Sequence, residues 1–420
     1  MEVRCRHFNG YKPCGLSQRC DANCAKRDIL KSSVLIVHLG AMGAVVRSTA
    51  LLEPIQRKYA GAQITWVTDA PCDRLLAGHP RIDKVVRADA TDLLSIAGRE
   101  FDVALVIDKS DKASGVLSTV RAKQVFGFVT DSRFGKIGPA TLAAVELWEL
   151  GLDDELKFFV NQKTENQLIA EALELGPYER DEYDLPLSIS EKALSHERME
   201  AWRRNPAQPI IGFNTGCGPL MPAKKWTVEF HRQVIEKLLS LGFENLVLLG
   251  GPEDEERNRQ IAVGLPVQCS PCTQGLRDGV ASIAACDVVL TGDSFGMHVA
   301  IALKKFVVAW FGPSCAHEID LFDRGVKLHA QVGCSPCWKR SCQTEVMCYD
   351  RVSMSEIQEA VQRGANWWHR PVAAEVIDSR TGRAILAPPT SAERFSGTLA
   401  ANATVGFGAG NLARSEVDPV

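Results

Sequence analysis

The stretch that most constrains the fold is 284–303, which reads AACDVVLTGDSFGMHVAIAL. Its first half is apolar and rich in valine, which predicts a buried parallel strand over 286–291. Gly292 ends that strand, and Asp293 and Ser294, both favoured N-cap residues, precede an apolar helix. In open α/β sheets ligands bind at this end of a strand, and free amides at a helix start favour an anion such as a diphosphate. A capped, buried helix without a ligand explains the spacing equally well.

The composition is that of an ordinary globular protein. Of the 420 residues, 45% are hydrophobic and 24% are charged, and this length predicts two to three domains. The formal net charge of −3 gives no reason to expect nucleic acid as a partner. The sequence contains no run of about 18 apolar residues, so it predicts no membrane-spanning helix. Its first residues lack the apolar segment of a secretory signal. The expected location is therefore the cytoplasm.

Apolar runs and helical stretches alternate along most of the chain, which predicts an α/β fold with doubly wound parallel sheets. The charged segment 150–207 is typical of lid or linker material between two lobes, and a last helix, 355–368, is expected to cross back onto the first lobe. The segment 371–420 is rich in Ala, Gly, Ser and Pro, which predicts a mostly disordered tail. Strands are predicted at 33–39, 63–68, 84–86, 103–107, 124–129, 209–213, 245–249, 286–291 and 306–311.

The cysteines are concentrated in two short segments. In a reducing compartment such clusters indicate metal sites more readily than disulfides. The group at 334–348 begins with a Cys-x-x-Cys pair, which favours a tetrahedral ion. For the group within 1–28, a metal or iron–sulfur site and free or mutually paired thiols fit the spacing equally well. The two sets are Cys5, Cys14, Cys20 and Cys24, and Cys334, Cys337, Cys342 and Cys348.

Several predicted strands of the second half are followed closely by polar residues or glycine. Because the carboxyl ends of parallel strands meet at one edge of a sheet, these residues are expected to converge on one cleft. Taken singly, each has an ordinary structural explanation, such as a carboxylate at a helix start. The set comprises Thr215, Gly216, Lys224, Glu253, Asp293, Ser294 and His298.

Five motifs, in this order, give the chain a family resemblance. They are VLIVHLGAMG at 34–43, FNTGCG followed by KKW within 213–226, LLGGPEDEE at 248–256, DSFGMH at 293–298 and FGPS at 311–314. With them the chain resembles the heptosyltransferase-type enzymes of glycosyltransferase family 9, which transfer heptose from an ADP-activated donor. Its cysteine-bearing loop is similar to that of a subgroup in which some members carry an iron or zinc ion.

The resemblance implies a GT-B architecture, in which two Rossmann-like lobes face one cleft. The lobe 29–190 would take the acceptor, and the lobe 191–370, which includes the loop 334–348, would take the nucleotide-sugar donor. Lys224 is implied to balance the charge of the departing diphosphate. Phe295 is larger than the residue usual at its position. By their place in the family motifs, the donor-binding residues are Thr215, Gly216, Lys224, Glu253, Asp293, Ser294, Phe295, Gly296, Met297 and His298.

One departure from the family bears on catalysis. The first glycine turn of the family normally reads Gly-Asp, and that aspartate is taken as the general base. Here Gly43 is followed by Ala44, which cannot accept a proton. Losing a general base typically costs about 100- to 10,000-fold in rate. Asp108, at the end of the fourth strand, is the first candidate for a substitute and Asp69 the second. Alternatively, the acceptor needs no base, or the protein binds a nucleotide sugar without efficient transfer.

The resemblance therefore implies an inverting glycosyltransferase that needs no cofactor for catalysis and uses a nucleotide-diphosphate sugar, most readily ADP-heptose. The acceptor would be a cell-envelope saccharide of the lipopolysaccharide type or a protein side chain. A lipid-linked acceptor would bring peripheral association with the inner membrane. The cysteine clusters are expected to hold structural zinc, iron or iron–sulfur, since nothing in the sequence places them at the donor motifs. The alternatives are a nucleotide-sugar-binding or metal-binding protein with weak or lost catalysis, and a redox sensor.

Overall fold

The computed structural model describes most of the chain, namely residues 4–8, 10–345, 347–369, 375–377 and 384–386. The chain divides into two units after His369, and the first unit contains both large sheets. In the second unit the described residues form one antiparallel pair of strands. The rest of the predicted disordered tail, 371–420, lies outside the described residues.

The first lobe is built on six strands: β1 (Ser32–Val37), β2 (Ala62–Thr68), β3 (Lys84–Arg87), β4 (Glu100–Val106), β5 (Arg121–Thr130) and β6 (Ile137–Pro139). They form one sheet in the order β3-β2-β1-β4-β5-β6, in which only the last pair is antiparallel. Strand β1 is central, and its apolar run 34–37 is fully buried because it faces a hydrophobic core on each side of the sheet.

The second lobe is built on six further strands: β7 (Ile211–Asn214), β8 (Leu246–Leu249), β9 (Gln268–Cys269), β10 (Val288–Gly292), β11 (Phe306–Phe311) and β12 (Gly325–His329). They form a parallel sheet in the order β12-β11-β10-β7-β8-β9. In both sheets the chain starts centrally, builds outward and then continues on the other side of its first strand. The strand order therefore reverses between β1 and β4 and between β7 and β10, and such switch points are where ligands bind.

The strands are connected by α-helices, most of which pack on the sheets. Helix α9 shows how the sequence specifies them: Thr227 caps its start, and Val234, Ile235 and Leu238 recur at helical spacing and are fully buried. The helices are α1 (Met42–Ser48), α2 (Leu52–Lys58), α3 (Cys72–Leu76), α4 (Ala90–Leu93), α5 (Asp111–Ser118), α6 (Val145–Glu149), α7 (Glu165–Ala172), α8 (Ile189–Trp202), α9 (Val228–Ser240), α10 (Glu255–Ala262), α11 (Leu276–Ala284), α12 (Phe295–Ala302) and α13 (Met354–Trp368).

Two predictions about the connecting helices were wrong. The segment 150–207 is not a lid, because Ile169 on α7 is buried in the core of the first lobe and Trp202 on α8 in that of the second. Helix α13 does not cross back to the first lobe. Its apolar face, which includes Ile357 and Val361, packs on the second sheet. In α13 an apolar stripe on one helix face decided the packing, whereas α8 buries Trp202 together with Arg198, which pairs with Asp278 of α11.

The two lobes meet where α1, at the start of the first sheet, packs against α12 of the second. Both lobes are doubly wound and Rossmann-like, and their arrangement is that of the GT-B architecture, so the predicted fold class is confirmed. No helix in the described part of the chain combines the length and the apolar character needed to cross a membrane.

Candidate functional site

A cavity of about 410 Å³ lies at the carboxyl ends of the strands of the second sheet. Residues of the first lobe, among them Met42 and Arg74, complete its wall opposite the turns after β7, β8 and β10. The cavity therefore opens between the lobes at the switch point of the second sheet. Of the residues predicted to bind the donor, its lining includes Gly216, Glu253, Ser294, Phe295 and Gly296.

Glycines form the floor of this cavity because nothing larger fits. A Cβ atom at Gly216 would lie 1.9 Å from Oδ2 of Asp254, and one at Gly296 would lie 2.5 Å from Oδ1 of Asn214. Asp254 is buried and accepts a hydrogen bond from the Gly251 amide at 3.0 Å. The main chain itself thus forms the surface that a ligand would meet.

Asn214, which the sequence did not single out, joins the turns after β7 and β10. Its Nδ2 donates to Oγ of Ser294 at 2.9 Å and to Oγ1 of Thr291 at 3.1 Å. Ser294 occupies the N-cap position of α12, but its side chain makes no capping hydrogen bond to the helix. The first-turn amides of α12 are therefore left to a ligand, and a helix start of this kind favours an anion.

Lys224 and Asp293 form a partly buried ion pair beside the cavity. Their Nζ and Oδ2 atoms are 2.7 Å apart, and the side chains are 15% and 12% exposed. Burial by itself raises the pKa of Asp293, but the charge of Lys224 and its hydrogen bond outweigh burial and hold that pKa below its usual value. The carboxylate is thus kept charged by a lysine that lies 69 residues away in the sequence.

His298 lies behind Asp293, at the contact between the lobes. Its Nε2 is 3.9 Å from Oδ1 of Asp293, and a Cβ atom at Gly43 would lie 2.5 Å from its Cδ2. Burial, together with the nearby Arg47, lowers the pKa of His298 to about 3, so the imidazole is neutral at physiological pH. The glycine of the first turn is therefore required so that α1 can approach this histidine.

Five of the predicted donor residues are not among those that line the cavity: Lys224 and Asp293, which form the ion pair described above, and Thr215, Met297 and His298. Thr215 is fully buried, and its hydroxyl donates to Oδ1 of Asn258 at 2.5 Å and to the Leu249 carbonyl. Met297 belongs to the hydrophobic core of the second lobe, and His298 is packed as described above. The expectation that the side chains of Thr215 and His298 converge on the cleft is corrected, because each is held by packing or hydrogen bonds inside the protein.

Asp108, the first candidate for the general base, lies at the switch point of the first sheet, directly after β4. Its Oδ2 accepts a hydrogen bond from the Leu39 amide at 2.5 Å. Burial raises the pKa of Asp108 to about 6, with Asp69 adding a smaller effect in the same direction. Asp69, the second candidate, is instead paired with Lys112 at 2.5 Å.

A further, largely buried acidic group, Glu318, was missed by the sequence analysis. It follows β11, its side chain is 12% exposed, and Nζ of Lys157 lies 3.6 Å from its Oε1. Burial, with Glu165 adding to it, raises its pKa to about 7. In the part of the chain that the structure describes, only Cys315, His317 and Glu318 have three potential ligand atoms within 4.8 Å of one another. The Cys-x-His-Glu run after FGPS was the available signal.

The loop 334–348 lies next to the donor motifs, which corrects the expectation that the cysteines are remote from them. Its four cysteines line a cavity of about 460 Å³ that also touches Ala223, the residue before Lys224. The indole of Trp338 lies 5.0 Å from Nζ of Lys224 and donates to Sγ of Cys315 at 3.3 Å. The loop thus packs against the lysine of the ion pair.

Comparison with known proteins agrees with this arrangement. The profile described as glycosyltransferase family 9 (heptosyltransferase) matches residues 94–347. Lipopolysaccharide heptosyltransferase 2 of Escherichia coli K12 is 25% identical over 305 residues, 67% of this chain and 83% of that enzyme. A family 9 glycosyl transferase from Veillonella parvula has a TM-score of 0.63 at 18% identity, covering 81% of this chain and 98% of that one. An E. coli heptosyltransferase solved with ADP-2-deoxy-2-fluoro heptose has a TM-score of 0.50 at 15% identity, covering 79% and 100%.

The matched region extends from the first lobe to the cysteine loop and contains both residues of the ion pair, Lys224 and Asp293. The structural neighbours share the two-lobed fold. The prediction of a transferase is therefore confirmed. The chain belongs to glycosyltransferase family 9, the heptosyltransferase family, and is a glycosyltransferase.

Proposed function

We propose that the protein transfers heptose from ADP-heptose, with inversion at the anomeric carbon, to a saccharide of the lipopolysaccharide type. The observation that carries this proposal is the cavity at the second switch point, which is lined by glycine turns and by a helix start without a side-chain cap. Asp293, which pairs with Lys224, directly precedes the N-cap residue of that helix. The free amides of a helix start, together with a nearby lysine, form a site that suits the diphosphate of a nucleotide. The names of the E. coli relatives, which refer to lipopolysaccharide and an ADP-heptose analogue, support this donor and acceptor.

The donor is proposed to bind with its diphosphate against the first turn of α12 and the glycines at 216 and 250. Lys224 would then contact two partners, the carboxylate of Asp293 and a phosphate of the donor. Its charge would stabilise the negative charge that develops on the departing ADP. Glu253 is exposed at the rim of the cavity, where its carboxylate is available to the ribose hydroxyls. Phe295 begins α12 and narrows the cavity on the side of the sugar. The ligand-facing part of Thr215 is its main chain, since its hydroxyl is engaged.

Asp108 is proposed as the general base, because the aspartate usual in the family is replaced here by Ala44. Its raised pKa of about 6 leaves it mostly ionised at pH 7, yet makes it more basic than an ordinary aspartate. In the proposed reaction the acceptor hydroxyl attacks the anomeric carbon from the face opposite the diphosphate. The hydroxyl proton passes to Asp108, the new glycosidic bond forms, and the bond to the diphosphate oxygen breaks as ADP leaves.

Ala44 favours a second candidate function, which is donor binding with little or no transfer. Both candidates place the protein in the cytoplasm, where ADP-heptose is used, and a lipid-linked acceptor would bring it to the inner membrane. The loop 334–348 is proposed to hold one structural zinc or iron ion with no chemical role, because its cysteines line a single cavity. Neither candidate requires a cofactor for the reaction itself.

Calorimetry tests the donor site. ADP-, UDP- and GDP-sugars are titrated into anaerobically purified protein, and we expect micromolar binding only of ADP-heptose. Binding of no member of the panel would refute the assignment of the cavity.

Turnover separates the two candidate functions. ADP-heptose is incubated with lipopolysaccharide lacking heptose, and transfer is followed by mass spectrometry. Transfer by the wild-type protein, lost in Asp108→Asn and kept in Asp69→Asn, supports the proposed enzyme. Tight donor binding without any transfer supports the second candidate. Loss of transfer in Asp69→Asn alone would move the base to Asp69.

A further inference from the structure

The cysteine-rich segment at the amino terminus is ordered without a hydrophobic core. None of the residues described between 4 and 30 is buried, and Tyr11 and Leu16 are 80% and 57% exposed. Its extended structure is one isolated bridge, between Cys5 and Ile29. A short segment that buries no apolar side chain cannot offset the entropy lost on ordering, so such segments depend on a cross-link or a metal.

The four cysteines supply the common centre of this segment. Cys5, Cys14, Cys20 and Cys24 are half-buried and line one cavity of about 30 Å³, a space sufficient for a single ion or water molecule. All four are free thiols. The fold of this short segment therefore arranges its four thiols around one small space.

The surroundings of the cavity fit a negatively charged centre. Arg19, Lys26, Arg27 and Asp21 line it together with the cysteines, and Asp21 pairs with Arg19 at 3.0 Å, so these four side chains carry a formal charge of +2. A divalent ion held by four thiolates carries a formal charge of −2, which these side chains balance. The sulfur atoms are more widely spaced than in a filled site, since no three of them lie within 4.8 Å of one another in the described structure. A tetrahedral ion with sulfur at about 2.3 Å would draw them to roughly 3.8 Å.

We propose that Cys5, Cys14, Cys20 and Cys24 bind one zinc ion that folds residues 4–28 against the first lobe. Zn²⁺ binds to the four sulfur atoms as each thiol that is protonated releases its proton, up to four in all, and no electron is transferred. The size of the cavity favours a single ion over an iron–sulfur cluster. This site is separate from the loop 334–348 and does not depend on the donor or acceptor proposed above.

The docking contacts place this zinc site far from the reaction. Arg6 donates to the Ala62 carbonyl at 3.0 Å and pairs with Asp83, which are at the amino-terminal ends of β2 and β3. The cleft is at the carboxyl ends. Strand β2 has 7 residues, at about 3.3 Å each, so roughly 20 Å separates the docking contacts at its amino-terminal end from the cleft at its carboxyl end. The zinc would therefore act on the fold of the first lobe and not on the chemistry.

Metal content per chain tests the proposal in the full-length protein. Three proteins are purified under zinc supplementation and analysed by elemental mass spectrometry: the wild type, a variant with all four amino-terminal cysteines changed to serine, and a matched control with Cys334, Cys337, Cys342 and Cys348 changed to serine. We expect the amino-terminal variant to contain one zinc equivalent less than the wild type and the loop control to retain that equivalent. Equal zinc in the wild type and the amino-terminal variant would overturn the proposal.

A second measurement covers the case in which the amino-terminal variant does not fold. The loop control is loaded with Co²⁺, and we expect the intense visible absorption of tetrahedral cobalt bound to thiolates. Limited proteolysis of the same protein should cut within 4–28 only after chelation. An iron–sulfur absorption band in the loop control as purified, or two disulfides among the amino-terminal cysteines detected by mass in its anaerobic preparations, would refute a zinc site.

Discussion

Replacing Lys224 by alanine tests the central ion pair. The change leaves Asp293, 12% exposed, without the ammonium group that lies 2.7 Å away. Breaking a buried pair from one side typically costs about 3–5 kcal/mol, and we take the lower end because some solvent reaches both side chains. For a lobe-sized domain, about 3 kcal/mol corresponds to a decrease of roughly 6–12 °C in melting temperature.

The loss of stability in Lys224→Ala should depend on pH, because the charge of Asp293 does. In the wild type the pKa of Asp293 is lower in the folded state than in the unfolded state. The ion pair therefore stabilises the fold at a pH above the unfolded-state pKa, and this stabilisation is lost as the pH falls through the folded-state pKa. In Lys224→Ala burial is no longer outweighed, and the pKa of Asp293 rises. The variant is then most destabilised above that raised pKa, and its deficit shrinks as the pH approaches about 4.

The assays are thermal unfolding from pH 4 to 8 and donor calorimetry. The double variant Lys224→Ala with Asp293→Asn should regain most of the lost stability, because no buried charge remains unpaired. It should not regain donor binding, which we expect to weaken about 10- to 150-fold when a charged hydrogen bond of about 1.5–3 kcal/mol is lost. Lys225→Ala is the matched control that keeps the pair. If Lys224→Ala melts like the wild type at pH 8 and binds ADP-heptose equally well, the reasoning is refuted.

Three further changes test the cleft. Gly216→Ala places a Cβ atom 1.9 Å from a carboxylate oxygen of Asp254 and should weaken donor binding at least 10-fold by calorimetry, whereas Gly218→Ala, with nothing within 4 Å, should not. Asp108→Asn should lower kcat about 100- to 10,000-fold with unchanged donor affinity. In the wild type kcat should fall below about pH 6, since the pKa of Asp108 is about 6, and a flat profile would argue against this base. Ala44→Asp should raise kcat for heptose transfer less than tenfold if Asp108 already acts as the general base. A larger gain would indicate that the wild type lacks a working base.

The sequence predicted what is local and missed what is distant. Apolar runs located nine of the twelve strands of the two large sheets, whereas the edge strands β6, β9 and β12 were not predicted. The turn after β10 was recognised because its glycine and N-cap residues are consecutive. The contact of Asn214 with Ser294 joins residues 80 apart, and no periodic pattern reports it. The orientation of Thr215 likewise depends on Asn258, 43 residues further on. Motif matching placed these residues in the right turn, but only packing decides which side chains face the cavity.

The two lobes present a carboxylate at equivalent places with opposite electrostatics. β4 and β10 are each the fourth strand of their sheet and pair with its first, β1 or β7, and Asp108 and Asp293 follow them. Asp293 faces Lys224, and its pKa is lowered, so it stays charged and holds a cation where a diphosphate would bind. Asp108 faces an amide and another aspartate, and its pKa is raised.

A carboxylate that a cation neutralises is a poor proton acceptor, whereas one that burial has made more basic is a good one. The fold therefore offers a binding carboxylate in the second lobe and a basic one in the first. We therefore propose Asp108 as the base before Asp69, which is paired with Lys112. Under the proposal made above, alanine at position 44 is compatible with transfer, because Ala44 and Asp108 follow β1 and β4, the two strands that flank the switch point of the first sheet.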